Sequence, residues 1–132
     1  MRTLILAVIM SLVLFSGANA QNNKAQKLTN DQPKAKVTFI ELGSNSCVPC
    51  KKMQPIMKSL EKKYGEQLKV VFYDVWKKEH KDKSEKYGIK LIPTQIFQDE
   101  NGKEFKRHEG FYPEAEIDKI LQSKGLKIIG KK

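Results

Sequence analysis

The chain has 132 residues, 25 of them Lys or Arg against 15 Asp or Glu, and two cysteines. That length holds one domain, and a formal charge of +10 opens the way to nucleic acid, anionic membrane or acidic partners. The lysines are spread along the whole chain without interleaved aromatics, which excludes a nucleic-acid face and leaves a solvated, soluble lysine surface.

The first twenty residues read differently from the rest. Arg2 gives a short positive start, residues 4–15 are apolar apart from Ser11, and Ala18-Asn19-Ala20 supplies small residues where a signal peptidase reads. That order predicts a secretory signal cleaved after Ala20. The alternative, an uncleaved anchor, needs a span of about 20 apolar residues, and this run is shorter. No cysteine follows Ala20, which counts against a lipid-anchored form. A periplasmic or secreted location is therefore expected, with residues 1–20 as signal peptide, 21–35 as a polar, flexible leader and 36–132 as the folded domain. Losing Arg2 takes the charge to +9. A chain of about 110 residues buries a little over 60% of its unfolded surface, enough for one core without disulfides.

After the leader, residues 37–42 (VTFIEL) are β-rich and mostly apolar, as in a buried strand. Residues 43–46 form a loop. From residue 48 to 64 the apolar positions Met53, Ile56, Met57 and Leu60 recur at helical spacing, and Gly65 ends the helix. Residues 68–75 give a second strand, 79–87 a short charged helix ended by Gly88, and 94–98 a third strand. Asp99-Glu100-Asn101-Gly102 is a hairpin turn with Asn-Gly at its core, and residues 103–108 form the return strand. Gly110 breaks the chain, and Pro113 opens a last helix to about Lys124 with Ile117, Ile120 and Leu121 inward. The order β-α-β-α-β-β-α predicts an α/β fold with a central mixed sheet flanked by helices. Strands joined by helices are expected to run parallel, and the hairpin to add an antiparallel edge.

The two cysteines lie together in SNSCVPCKKMQP, residues 44–55. A zinc site needs four ligands, and His80 and His108 stand far apart on separate elements, so no metal is expected. A static structural disulfide is the second reading, but closing so small a loop stabilises by only about 2 kcal/mol and joins nothing distant. A cysteine hydrolase needs one thiol and a His base, which makes the second thiol superfluous. Reversible dithiol–disulfide chemistry is the fourth reading, and the local physics favours it. Cys47 stands where a loop enters a helix, and the unpaired N–H groups and positive dipole end there favour its thiolate. Pro49 suits the first helical turn, where its missing N–H has no partner to lose. Cys50, one turn deeper, is placed to resolve the mixed disulfide that Cys47 forms.

At these residues the sequence resembles the thioredoxin family, and more narrowly its extracytoplasmic thioredoxin-like disulfide oxidoreductases. CVPCKKMQP is similar to the family's Cys-Gly-Pro-Cys-Lys helix, including a proline inside the helix, here Pro55, where a proline costs about 3 kcal/mol. KYGIKLIPTQIF is similar to the family segment Tyr-Gly-Ile-x-x-Ile-Pro-Thr. The resemblance implies that Pro93 follows a cis peptide bond and faces the disulfide; an Ile–Pro bond alone is cis only about 5% of the time. It implies that the backbone at Ile92 pairs with an extended substrate peptide, with Val48 and Pro49 also at the substrate face. EGFYPEAEI resembles the turn before the last helix, with Gly110 beside the groove. Glu41, six residues before Cys47, stands where thioredoxins carry a buried Asp. Its implied work is proton transfer with Cys50, with a pKa raised by desolvation.

The sequence departs from the pattern at several points. Ser46 stands where the family has Trp, Val48 where it has Gly, and Phe72 is the expected apolar counterpart of a lysine near the buried acid. Trp76 is expected to pack a core edge or a loop, His108 to be a surface residue, Met53 and Met57 to be core, and Tyr73 and Tyr87 to be packing residues. Phe111 and Tyr112 are candidates for the groove border. The expected function is reduction of protein disulfides by a secreted or periplasmic monomer, with no cofactor beyond the Cys47–Cys50 disulfide. A membrane thiol–electron donor and a place in cytochrome c maturation are implied by the resemblance. The alternatives are a dithiol oxidase that donates disulfides to folding proteins, and a thioredoxin-fold binding protein whose disulfide does not turn over.

Overall fold

The computed structural model describes residues 34–129. The expected signal segment, its cleavage site and all but the last two residues of the expected leader lie outside the described residues. Strand β1 is Val37–Gly43, helix α1 Val48–Tyr64, strand β2 Leu68–Asp74, helix α2 Lys81–Lys86, strand β3 Thr94–Asp99, strand β4 Glu104–Glu109 and helix α3 Glu114–Ser123. The order matches the sequence reading, and α1 has the predicted bounds. Gly65, with φ +52°, ends it by returning its N–H to the Glu61 carbonyl, a left-handed position that suits glycine. The charged helix expected over residues 79–87 splits into a 3-10 turn, Lys78–His80, and the short α2.

The four strands form one sheet in the order β2-β1-β3-β4. β1 pairs parallel with β2 and antiparallel with β3, and β4 pairs antiparallel with β3. The expectation that β3 runs parallel to the first two strands is corrected. β2 ends at Asp74 opposite Gly43, and β3 begins at Thr94 opposite Leu42, so the connection stays at one end of the sheet. α2 has six residues, about 9 Å of rise. That is too short to carry the chain back along a seven-residue strand of about 23 Å.

Alternation along β1 sends its residues to two faces. Val37 and Phe39 join Met53, Met57, Leu60 and Tyr64 of α1, Phe97 of β3 and Ile117 and Leu121 of α3 in the larger core cluster. Ile40 and Leu42 join Val75 and Ile96 on the other face, with Tyr73, Tyr87 and Ile92 packed against them. Phe39 and Phe97 meet edge to face at 5.1 Å between centroids, both fully buried, a geometry aromatic quadrupoles favour. Polar contacts tie α1 to α3: Lys63 Nζ lies 2.6 Å from both Glu114 and Asp118, and Tyr64 Oη donates to Asp118 at 2.9 Å. No described helix is long and apolar enough to cross a membrane.

The topology collects four loop ends at one edge of the sheet. The carboxyl end of β1 leads to the cysteine loop and that of β2 to Trp76. The amino end of β3 follows Ile92–Pro93, and the carboxyl end of β4 precedes Gly110.

Candidate active site

Cys47 is the N-cap of α1. Its backbone is extended, and its Sγ accepts the Cys50 N–H at 3.3 Å. Pro49 falls in the first turn and no acidic side chain stands there, so nothing offsets the positive end of the helix at the sulfur. Cys47 and Cys50 form a disulfide with their Cα atoms 5.2 Å apart. Cys50 is fully buried, whereas Cys47 keeps 8% of its surface and is flanked by exposed Ser46, Val48 and Pro49. Pro55 lies inside α1 and withholds an N–H from the Lys51 carbonyl.

Gly43 lets Cys50 come down onto the sheet. A Cβ there would stand 3.2 Å from the Cys50 Cβ, 3.3 Å from its Sγ and 3.4 Å from the Phe72 ring. Glu41, two residues earlier, points to the same face and is fully buried. Phe72 is its partner on β2 and Gln95 its partner on β3. Neither Glu41 oxygen has a hydrogen-bond partner. Burial pushes its pKa from 4.5 up to about 8, and the nearby Gln95 amide offsets part of that rise. A carboxyl with that titration can hold or release a proton near neutral pH.

The Ile92–Pro93 peptide is cis. Pro93 is buried, Ile92 half-buried, and the Pro93 carbonyl accepts the Gly110 N–H at 2.7 Å. Gly110 has φ +93°, a backbone conformation costly for any other residue. Phe111 is 44% exposed and stands at this edge, while Tyr112 belongs to the core.

Of the two places expected for Trp76, a core edge or a loop, the structure gives the loop: it is 65% exposed in the turn after β2 and lines a shallow depression of about 250 Å³ with Val75, Leu91 and Ile92. His108 is not a plain surface residue: it is half-buried, stacked on Tyr112 at 3.8 Å, with Nε2 3.2 Å from the Phe111 carbonyl. The antiparallel register with Gln95 turns it onto the core face.

Sequence reasoning missed two residues. Asp74, nearly buried, accepts the Asn45 N–H at 3.1 Å and the Trp76 N–H at 3.2 Å. Burial acts to raise its pKa, but those two N–H bonds, with Ser44 and Lys77, hold it below the usual carboxylate value. It thereby ties the cysteine loop to the Trp76 turn. Gln95 is fully buried, and its Nε2 donates to the Gly110 carbonyl at 3.1 Å. The one signal for it was a polar residue inside the TQIF strand. Among the described residues no cluster of His, Cys, Asp and Glu has the arrangement of a metal site.

Comparison with known proteins agrees with this geometry. The family model described as a thioredoxin-like domain matches residues 21–125. A thioredoxin of Borreliella burgdorferi is 31% identical over 77% of this chain and 81% of its own length. A thioredoxin of Bacillus subtilis is 31% identical over 57% of this chain and 69% of its own. Among solved structures, the reduced thioredoxin preprotein of Schistosoma mansoni superposes with a TM-score of 0.58 at 26% identity, covering 70% of this chain and 82% of that one. The chain belongs to the thioredoxin family, as a thioredoxin-like thiol–disulfide oxidoreductase whose Cys-x-x-Cys pair is Cys47 and Cys50.

Proposed function

We propose that the protein works outside the cytoplasm as a reductase of protein disulfides. The observation that supports this most is the Cys47 Sγ seated at the N-cap of α1 with the Cys50 N–H directed at it. In the reduced protein the same N–H and helix end favour the Cys47 thiolate over the thiol. That thiolate attacks one sulfur of a substrate disulfide, forming a mixed disulfide and releasing the first substrate thiolate. Cys50 then attacks the Cys47 sulfur, closes the Cys47–Cys50 disulfide and releases the second substrate thiolate. Cys50 must lose a proton for this step, and Glu41, buried on the face that Cys50 covers, is the acceptor. The Ile92 backbone and Gly110 border the groove in which an extended substrate lies as an added strand, with Val48 and Pro49 on its other side.

The extracytoplasmic place rests on the order of residues 1–20, and the mature chain begins at Gln21 with a polar leader to residue 35. Such a location calls for a membrane protein that returns electrons to the dithiol. No cofactor takes part, and the protein acts as a monomer. The test is turnover of insulin disulfides together with the reduction potential in thiol buffers. A potential near about −270 mV supports the reductase, and one near about −120 mV reverses the direction to dithiol oxidation. Absence of turnover leaves a binding protein. Amino-terminal sequencing of exported protein checks the location, with Gln21 as the expected first residue.

A further inference from the structure

Trp76 is the one tryptophan of the chain, and most of its ring lies in solvent. It is 65% exposed and Leu91 46%, and with Val75, Ile89 and half-buried Ile92 they line one depression. Its volume of about 250 Å³ is below the roughly 300 Å³ at which small-molecule sites begin, so it suits one side chain of a larger partner. A contiguous apolar patch left at a surface marks a contact site, and tryptophan is prominent among the residues that carry most of an interface's binding energy.

The depression is joined to the disulfide from two directions. One carboxylate, Asp74, accepts the Trp76 N–H at 3.2 Å and the Asn45 N–H at 3.1 Å, so the turn bearing the indole is held to the loop that ends at Cys47. On the other side, Ile92 both lines the depression and precedes Pro93 in the cis bond. The two faces of the sheet then divide the work. Cys50 stands over Gly43 on the side of α1, whereas Val75, Ile89 and Ile92 belong to the cluster on the opposite face. A substrate strand along the Ile92 backbone turns successive side chains to opposite sides. With its target cysteine turned to Cys47, the residue beside that cysteine falls on the side of the depression. Charge selects further. Lys90 lines the depression and Lys77 and Lys78 follow Trp76, all three exposed, with Glu79 the acid next in the turn. That surplus favours an acidic segment.

We propose that Trp76, with Leu91 and Ile92, forms a specificity subsite for protein substrates in which a large apolar residue adjoins the target cysteine within an acidic segment. The inference rests on the reductase reading given above and names a substrate class for it.

The experiment uses symmetrical peptide disulfides with one cysteine per chain. The first peptide carries Phe on both sides of the cysteine and Asp beyond, the second has Ala in place of Phe, and the third has Lys in place of Asp. Turnover is measured with dithiothreitol as reductant, over the uncatalysed rate. In the wild type the first peptide should have a KM about tenfold below that of either other. Trp76→Ala should bring the first two peptides level, through KM rather than kcat, and Trp76→Phe should restore most of the preference. Alkylation of Cys47 across pH reports on the cysteine loop of each variant. Equal KM values for the first two peptides in the wild type overturn the proposal, as does a preference that survives Trp76→Ala or that is lost only together with a shift in the Cys47 titration. A wild type that treats the Asp and Lys peptides alike overturns it too. Binding is read apart from chemistry on the oxidised protein, since neither it nor a peptide disulfide holds a thiol. The emission of the single tryptophan should respond to the first peptide at lower concentration than to the second. A protein that binds in this order but turns over none of the peptides sinks the reductase reading and upholds the subsite, whereas one that reduces all of them alike sinks the subsite alone.

Discussion

The two halves of β1 lie under the same helix and face the same way, yet they are built on opposite terms. At the amino half, Val37 and Phe39 sit among Phe97, Leu60 and Tyr64, and the Tyr64 hydroxyl there is satisfied by Asp118. At the carboxyl half, Glu41 is buried with both oxygens unpartnered, and Gly43 gives up a side chain so that Cys50 can descend. One half gains stability from apolar contact. The other gives some of it up to hold a protonatable carboxyl beside a thiol. Sites that break the rules of packing mark chemistry.

Substitutions at either end sharpen that contrast. The largest effect on activity belongs to Cys47→Ser, which should reduce disulfide exchange to the uncatalysed background in an insulin assay while leaving the fold intact. Cys50→Ser should instead accumulate the mixed disulfide. At the packing half, Phe97→Ala should cost about 3–5 kcal/mol in chemical denaturation without moving the pH dependence of Cys47 alkylation. A substitution there that shifted both would erase the division between the two halves.

Glu41→Gln tests the site half directly. The folded pKa of about 8 lies above the ordinary 4.5, so between those values the native state holds a proton that the unfolded chain has released. Stability is then fully present below pH 4.5 and falls as pH rises towards 8, by on the order of 5 kcal/mol at about 1.4 kcal/mol per pH unit. Glu41→Gln should flatten that slope and be the more stable protein at pH 9. The same variant should slow release of the mixed disulfide by about 100-fold and leave the first attack nearly unchanged. Equal slowing of both steps would argue against a proton acceptor. Gly43→Ala should have the smallest effect, about 1–3 kcal/mol, because the Cβ contacts at 3.2–3.4 Å call for small shifts of Cys50 and Phe72.

What the sequence disclosed follows the same division. The apolar spacing of Met53, Met57 and Leu60, closed by Gly65, located α1 to the residue, because a helix and its stop are local. The burial of Glu41 was legible from its apolar neighbours Ile40 and Leu42. The direction of β3 was not, since it depends on which end of the sheet the connection leaves from. Nor was the row from Glu41 through Gln95 to His108, because strand register is a long-range property that no local pattern carries. Trp76 illustrates the same limit: an indole in a turn gives no local sign of whether it packs inward, and here Asp74 fixes the turn with the ring outside.

The most direct test of the account is alkylation of the reduced protein across a pH series, with Cys47 and Cys50 resolved by peptide mapping. A sulfur favoured by a helix end should react with a midpoint well below the 8.5 or so of a free thiol, and ahead of Cys50 at every pH. A Cys47 that titrates near 8.5, or that reacts no faster than its buried neighbour, would contradict it.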